Sequence, residues 1–288
     1  MSLAIVTGAT GGLGLETALG LAYAGHEVLL TGRDEARGAA ALAKVRAVGP
    51  ARFALLDVAS LDSVAAFAAT VAEPVAVLVN NAGVMALPRR ETTVDGFERQ
   101  LGTNYLGHFA LTARLLPQLH GARVVNVASL AHRRGRIDFE DLQSERSYNP
   151  WRAYAQSKLA MLMFGLELHR RAAAAGWNLA SIPAHPGWAA SRLVANGIGR
   201  KRPGPLSVVL QAGFNALAQS TEAGALPLLH AALSPDAEPG AYYGPCCWAE
   251  TRGHPTRSRI MSDATDPAVC ARLWDVSEHL TGTRFTPP

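Results

Sequence analysis

The sequence predicts a doubly wound α/β fold, a parallel sheet covered by helices on both faces, and three observations predict it. Apolar runs rich in Val, Ile and Leu alternate along the chain with stretches of helical periodicity. Several of these runs are continuously apolar, as strands buried on both faces must be. A glycine-rich turn, Thr7-Gly8-Ala9-Thr10-Gly11-Gly12-Leu13-Gly14, follows the first run and opens the first helical stretch.

In chain order, Leu3–Thr7, Glu27–Thr31, Arg52–Leu56, Val75–Val79, Arg123–Val127 and Leu179–Pro183 read as strands. Between the first two, Leu15, Ala18, Leu19 and Ala22 share a helical face, and Gly25 follows as a stop signal. Gly96–Leu119 and Tyr154–Ala175 read as longer helices, the second closed by Gly176. The segment from Gly187 to Gly240 departs from this rhythm, with Gly197, Gly199, Pro203, Gly204 and Pro205 ahead of apolar helical stretches. Lying beyond the carboxyl end of a late strand, it is expected to be a substrate lid, the plainer reading being a loop followed by packing helices. No repeat or linker interrupts the chain, so residues 1–288 are read as one domain.

The bulk composition narrows the class. Hydrophobic residues make up 49% and charged residues 17% of the 288, which suits a globular protein with a sizeable core. No stretch is apolar for long enough to span a bilayer, and the N-terminus lacks a secretory pattern, so a cytoplasmic location is expected. The net charge of +4 is mostly scattered arginine, with short clusters at 132–136 and 200–202. No basic helix interleaved with aromatics appears, which argues against nucleic acid as a partner. Cys246, Cys247 and Cys270 match neither a metal site nor a disulfide framework, so free thiols and no metal are expected.

Two motifs carry chemistry. In the glycine turn, Gly8, Gly12 and Gly14 supply a tight turn, close backbone approach to phosphate and close helix–strand packing. The free N–H groups and dipole of the helix that follows favour a dinucleotide pyrophosphate. In Tyr154-Ala155-Gln156-Ser157-Lys158, the phenol and ammonium stand at i and i+4, on one helix face, about 5–6 Å apart at Cβ. A nearby ammonium, together with the positive charge of an oxidised dinucleotide, favours phenolate, so the phenol is expected to titrate below its ordinary value of about 10 and to serve as a general acid and base. Ser129 follows an apolar run, where its hydroxyl can orient the same reacting oxygen. Lysine occurs only at 44, 158 and 201, so its presence in this motif stands out.

The T-G-x-x-x-G-x-G spacing resembles the glycine signature of the short-chain dehydrogenase/reductase family, and the resemblance continues through most of the chain. Asn80-Asn81-Ala82-Gly83 looks like that family's N-N-A-G segment, and Pro186-Gly187 like the P-G beside the nicotinamide. The resemblance implies a Rossmann fold and a catalytic tetrad of Asn104, Ser129, Tyr154 and Lys158. It further implies cofactor contacts from Gly8, Thr10, Gly11, Gly12, Leu13, Gly14, Arg33, Asp57, Val58, Asn81, Ala82, Gly83, Tyr154, Lys158, Pro186, Gly187 and Ser191. Asn104 is implied to hold a water that links the lysine to solvent. Ala128 departs from a frequent Ser-Ser pair, and Ser191 replaces a frequent threonine, although its hydroxyl remains.

Charge separates the two nicotinamide cofactors. An NAD enzyme of this kind ends its second strand in a carboxylate that binds the ribose 2′-hydroxyl. Here Gly32 occupies that place and Arg33 follows, so NADP (NADPH) is expected over NAD, because a guanidinium binds a 2′-phosphate. Asp34 works against this unless it caps the next helix.

Tyr154 lies 25 positions after Ser129, and the insert begins Ser129-Leu130-Ala131-His132. With His185-Pro186-Gly187, this resembles the retinol dehydrogenase-like branch, including soluble bacterial carbonyl reductases, although the anchor of many retinol dehydrogenases is not seen. The implied reaction is reversible hydride transfer to a bulky hydrophobic ketone or aldehyde, or from the matching alcohol. Leu130, His132, Trp151, Trp188, Leu193 and Val194 are candidate pocket residues. Epimerase, dehydratase and enoyl reductase readings fit the spacings less well. A dinucleotide-binding sensor or a scaffold without turnover is the alternative from another class. Association into a homo-oligomer is left open.

Overall fold

The computed structural model describes residues 2–188 and 219–286. Six parallel strands form one sheet: β1 (Leu3–Val6), β2 (Glu27–Gly32), β3 (Ala51–Leu55), β4 (Val75–Asn80), β5 (Ala122–Asn126) and β6 (Leu179–Ser181). Their order is β3-β2-β1-β4-β5-β6, so the winding reverses between β1 and β4. At such a reversal the loops leaving the two strands diverge and open a crevice at the carboxyl edge. Both the Thr7–Gly14 turn and the Asn81–Gly83 segment start there.

Alternation along the strands builds two apolar layers. Leu3 and Ile5 of β1 join one core with residues of α3 (Leu61–Thr70), α5 (Gly107–Arg114) and α6 (Pro150–Ala175), and with α8 (Pro267–Thr281). Ala4 and Val6 join the opposite core with α1 (Gly12–Tyr23), α2 (Glu35–Arg46) and α7 (Thr221–Leu233). Here α7 lies so close to α1 that a Cβ on Gly20 would fall 2.4 Å from Leu229 Cδ1. The Thr221–Leu233 part of the expected lid is therefore a packing helix. Residues 189–218 of that expectation, including Ser191, Leu193 and Val194, lie outside the described residues.

Local signals set the helix boundaries. Asn149 accepts the N–H groups of Trp151 and Arg152, and Pro150 occupies the first turn, so α6 starts four residues before Tyr154. Gly176 ends it in the left-handed region at φ 69°. The single helix expected over 96–119 is broken. It comprises α4 (Arg99–Leu101), a π turn (Gly102–Leu106), α5 and a 3₁₀ turn at Leu116–Gln118. The Glu98 carboxylate starts α4 by accepting the Gln100 and Leu101 N–H groups, and Gly107 allows α5 to press onto the Val58 carbonyl.

No strand or helix is expected from sequence beyond Gly240. β7 (Tyr243–Cys247) and β8 (Arg252–Arg257) form an antiparallel hairpin. A parallel bridge between Ala184 and Tyr243 seats β7 beside the end of β6. Cys246 and Cys247 are joined as a disulfide, which corrects the expectation of free thiols; Cys270 is free and buried. Neighbouring side chains in a regular strand point to opposite faces. The β7–β8 register is irregular between Pro245 and Cys247, which lifts that restriction. Among the described residues no helix is long and apolar enough to cross a membrane.

The close seat of α5 gives the first prediction. A Cβ on Gly107 would fall 1.9 Å from the Val58 carbonyl oxygen, a backbone atom that cannot swing aside. Gly107→Ala should cost about 1–3 kcal/mol of stability, the range for overpacking. Urea unfolding monitored by circular dichroism measures it, and an unchanged midpoint would contradict this account of the packing.

Candidate active site

The crevice is closed at its base by one hydroxyl. Thr7 Oγ1 accepts the N–H groups of Asn81 at 2.8 Å and Ala82 at 2.9 Å, joining the ends of β1 and β4. It also lies 2.9 Å from His108 Nε2. His108 Nδ1 faces the Asn104 carbonyl oxygen at 3.2 Å, and a carbonyl only accepts, so Nδ1 carries the proton and Nε2 accepts from Thr7. Burial drives the His108 pKa down to about 3, which keeps this neutral form.

The glycine turn rises above this base. Gly8 is at φ 65° and Gly12 at φ 55°. A Cβ on Gly14 would lie 2.5 Å from both the Gly8 carbonyl oxygen and Asn81 Nδ2, so Gly14 is needed for the close approach of α1. A Cβ on Gly12 would meet nothing within 4 Å, so that side of the turn is open. Gly11 begins α1 without a side-chain cap, and the first turn holds no acidic residue. N–H donors at an open turn with no acidic residue fit a pyrophosphate.

The ends of β2 and β3 flank the turn. A Cβ on Gly32 would lie 2.5 Å from Thr10 Cγ2, so packing against Thr10 excludes a side chain where a ribose-binding carboxylate would stand. Arg33 is exposed, and Asp34 accepts the Arg37 N–H as the cap of α2, as the sequence allowed. Arg37, which sequence reasoning passed over, brings Nη2 to 3.7 Å from the Cβ position of Gly11. Its place one helical turn after Arg33 was the available signal. Asp57 is half-buried, with Oδ1 accepting the Ala59 N–H, and Val58 is buried beneath α5.

The four expected tetrad residues converge from three elements. Ser129 sits on extended backbone past β5, with its hydroxyl facing the Tyr154 phenol on α6. Lys158, one turn further along α6, is buried, and its Nζ donates to the Val127 carbonyl at 2.8 Å. Burial lowers the Lys158 pKa to about 8, so the side chain remains an ammonium at neutral pH. Asn104 lies in the π turn, a local form frequent at functional sites. Its Oδ1 accepts the Val84 N–H at 2.7 Å, while Nδ2 donates to the Val84 carbonyl and to Ser157 Oγ, both at 2.9 Å. The amide is thus committed to fixing the loop after Gly83.

Burial raises the Tyr154 pKa, and the facing Ser129 hydroxyl pulls it back only in part. Phenolate stabilisation by Lys158 does not outweigh desolvation in the chain alone, because the buried phenol would become an anion away from water.

Around these groups, Trp151 is half exposed and meets the Tyr154 ring edge-on at 6.4 Å. His132 is buried, and its Nδ1 donates to the Ser129 carbonyl at 2.7 Å. Sequence reasoning also missed the far wall. Tyr242, also buried, packs edge-on against His132. Glu250 receives His185 Nε2 at 3.2 Å and Arg133 Nη2 at 2.7 Å. Burial works to raise the Glu250 pKa, but bonds from His185 and the Arg259 N–H hold it down at about 2. Pro186 and Gly187 follow His185, and Trp188 donates its backbone N–H to the Thr251 carbonyl at 2.8 Å.

The short chain dehydrogenase family model matches residues 2–196. The chain belongs to this family. It is similar to polyprenol dehydrogenase of Mus musculus, 41% identical over 299 residues, which cover 97% of this chain and 84% of that protein. Human retinol dehydrogenase 12 is 38% identical, with 98% and 86% covered. A crystal structure of an uncharacterised protein from Mycobacterium Paratuberculosis superposes with a TM-score of 0.82 at 40% identity, covering 99% and 95%. The short-chain dehydrogenase fold is an oxidoreductase scaffold that binds a nicotinamide dinucleotide, and this chain falls in its retinol dehydrogenase-like branch.

The neutral histidines make stability depend on pH. His108 and His132 are depressed to about 3 and about 4 in the folded chain, both chiefly by burial, whereas unfolded histidine titrates near 6.5. Their contribution is complete above pH about 6.5 and is lost as pH falls toward about 4, where the unfolded chain binds the extra protons. Urea midpoints should therefore fall steadily from pH 7 to pH 5. A flat profile across that window would show that neither ring is held neutral.

Proposed function

We propose that this short-chain dehydrogenase transfers hydride between NADP(H) and a bulky hydrophobic ketone or aldehyde, or the matching alcohol, with Tyr154 as general acid and base. The observation that carries the reading is the buried Tyr154 phenol facing the Ser129 hydroxyl, with the Lys158 ammonium buried one helical turn further on and held on the Val127 carbonyl. In this reading the whole chain acts as one dinucleotide-binding domain. The contacts come from Gly8, Thr10, Gly11, Gly12, Leu13 and Gly14, then Arg33, Asp57, Val58, Asn81, Ala82 and Gly83. Tyr154, Lys158, Pro186, Gly187 and Ser191 complete them.

The bound nicotinamide supplies or accepts hydride at carbon. During reduction Tyr154 delivers a proton to the carbonyl oxygen, while Ser129 holds that oxygen by a bond that strengthens as it gains charge. Lys158 favours the phenolate left behind, against the burial that disfavours it. Asn104 positions the loop after Gly83 through Val84 and steadies α6 through Ser157. Exposed Arg33 and the Arg37 guanidinium beside Gly11 support a 2′-phosphate, and therefore NADPH. Polyprenol and retinol, the substrates in the names of two relatives, support a long apolar alcohol or its carbonyl product. Trp151 beside Tyr154 suits such a substrate.

Tyr154→Phe should keep the fold and NADPH binding but lower turnover by roughly 10²–10⁴, the usual loss for a positioned general acid. Rates come from NADPH absorbance with a panel of hydrophobic ketones and long-chain aldehydes. Near-normal turnover by folded, cofactor-bound variant would remove the tyrosine from the mechanism. No turnover by the unmodified chain, despite NADPH binding, would favour the sensor reading.

Cofactor choice is tested separately. NADPH should bind more tightly than NADH, and Arg33→Asp should narrow or reverse the gap by opposing the 2′-phosphate. Dissociation constants from fluorescence titration decide it; a preference for NADH in the unmodified chain would sink the assignment.

A further inference from the structure

A second reactive group shares the carboxyl edge of the sheet with the tetrad. The Ala184–Tyr243 bridge runs parallel, and the His185 N–H donates to the Tyr243 carbonyl at 2.8 Å. β7 therefore ends on the same edge as β5 and β6, and it ends in the exposed, bonded pair Cys246–Cys247. Gly253, at φ 113°, makes room for the sulfurs: a Cβ there would lie 2.6 Å from Cys246 Sγ and 3.0 Å from Cys247 Sγ.

The turn that follows is strained and tethered. Trp248, Ala249 and Glu250 stand at φ 51°, 56° and 66°, three successive non-glycine residues in the left-handed region. Such backbone persists only where its surroundings hold it. The holds are the Cys pair on one side and the cofactor flank on the other. The Thr251 N–H donates to the Cys247 carbonyl at 3.0 Å, and the Thr251 carbonyl accepts the Trp188 N–H. Gly187 is pressed against this turn, its Cβ position 2.5 Å from the Thr251 carbonyl oxygen and 2.7 Å from Pro245 Cγ. The Glu250 carboxylate bonds His185, Arg133 and the Arg259 N–H.

We propose that Cys246 and Cys247 form a reversible thiol–disulfide site that reacts with dithiols and hydroperoxides and sets the grip of the turn on His185–Trp188. The effect on cofactor binding rests on the reading above that this stretch flanks the nicotinamide. In reduction, a thiolate of an external dithiol attacks one sulfur, the Cys246–Cys247 bond breaks, and a mixed disulfide forms. The reductant's second thiol then attacks its own sulfur in the mixed disulfide and displaces the cysteine held there, and the reductant leaves as a disulfide. Two electrons and two protons remain on the cysteines. In re-oxidation, one cysteine thiolate attacks a hydroperoxide and becomes a sulfenic acid, releasing an alcohol, or water from hydrogen peroxide. The neighbouring thiol then closes the bond and expels water. The closed ring restricts the peptide joining the two cysteines. Opening it removes one hold on the left-handed turn and loosens Glu250 and Thr251 from the cofactor flank.

The test uses the full chain in two states, prepared with dithiothreitol or with hydrogen peroxide and verified by alkylation under native conditions and intact mass. The peroxide-treated chain should take no alkyl group at positions 246 and 247, and the reduced chain should take two. Hydrogen exchange at the Trp188 amide should quicken on reduction, because its acceptor lies in the released turn. The NADPH dissociation constant should rise by roughly three- to tenfold, the span of losing one hydrogen bond, and peroxide should restore it. A Cys246→Ser/Cys247→Ser variant should match the reduced chain and ignore both reagents. Two alkyl groups on the peroxide-treated chain would overturn the proposal, as would equal exchange at Trp188 in the two verified states. Redox-dependent exchange without NADPH or NADH binding in either state would support the switch and overturn the cofactor reading instead. The unmodified chain alone decides these outcomes should the variant not fold.

Discussion

The Thr7 hydroxyl holds the two halves of the site in register. It accepts N–H groups from Asn81 and Ala82, donates to His108, and so joins the ends of β1 and β4 to the helix that follows the π turn. The Asn81 amide answers by donating to the Thr7 carbonyl at 2.7 Å. Buried polar groups are costly unless each is paired, and this set is paired with one proton arrangement only. That arrangement requires a neutral His108, which burial enforces. Asn104, whose carbonyl accepts from His108, is thereby set at a fixed distance from the glycine turn.

From that base the catalytic wall follows by packing. Gly107 lets α5 settle on Val58, and the π turn before it presents the Asn104 amide to Val84 and Ser157. Ser157 lies on α6 between Tyr154 and Lys158, so the loop after β4 and the tetrad helix are tied through one amide. Lys158 closes the ring of contacts by bonding the Val127 carbonyl beyond β5. The ammonium is buried at an electrostatic cost, and its pKa near 8 records that cost. Carrying a charge in such a place is characteristic of a functional site.

The opposite wall is built from the C-terminal hairpin. Gly187 N–H donates to His185 Nδ1, so Nε2 carries the proton, which faces both Ser258 Oγ at 2.9 Å and Glu250 at 3.2 Å. Glu250 also binds Arg133, which follows His132 in the segment after Ser129. One carboxylate therefore joins the loop after β5 to the Pro186–Gly187 flank, and its own position depends on a left-handed turn behind the cysteine pair.

Local chemistry determined much of this protein from sequence alone. Continuous apolar runs specify buried parallel strands, the glycine spacing specifies the phosphate turn, and the i,i+4 phenol and ammonium specify one helix face; all depend on residues close in the chain. Even the role of Asp34 as a cap was legible, because capping is a local bond. Tertiary structure decided the rest. The π turn at Asn104, the neutral state of His108 and the upward shift of Tyr154 depend on what is packed around each group, which spacing does not encode. The Glu250 contacts join residues 65 and 117 positions apart in sequence. The cysteine pair reads as two free thiols until the irregular end of β7 brings their sulfurs together, because side-chain direction in a strand is set by pairing with its neighbour.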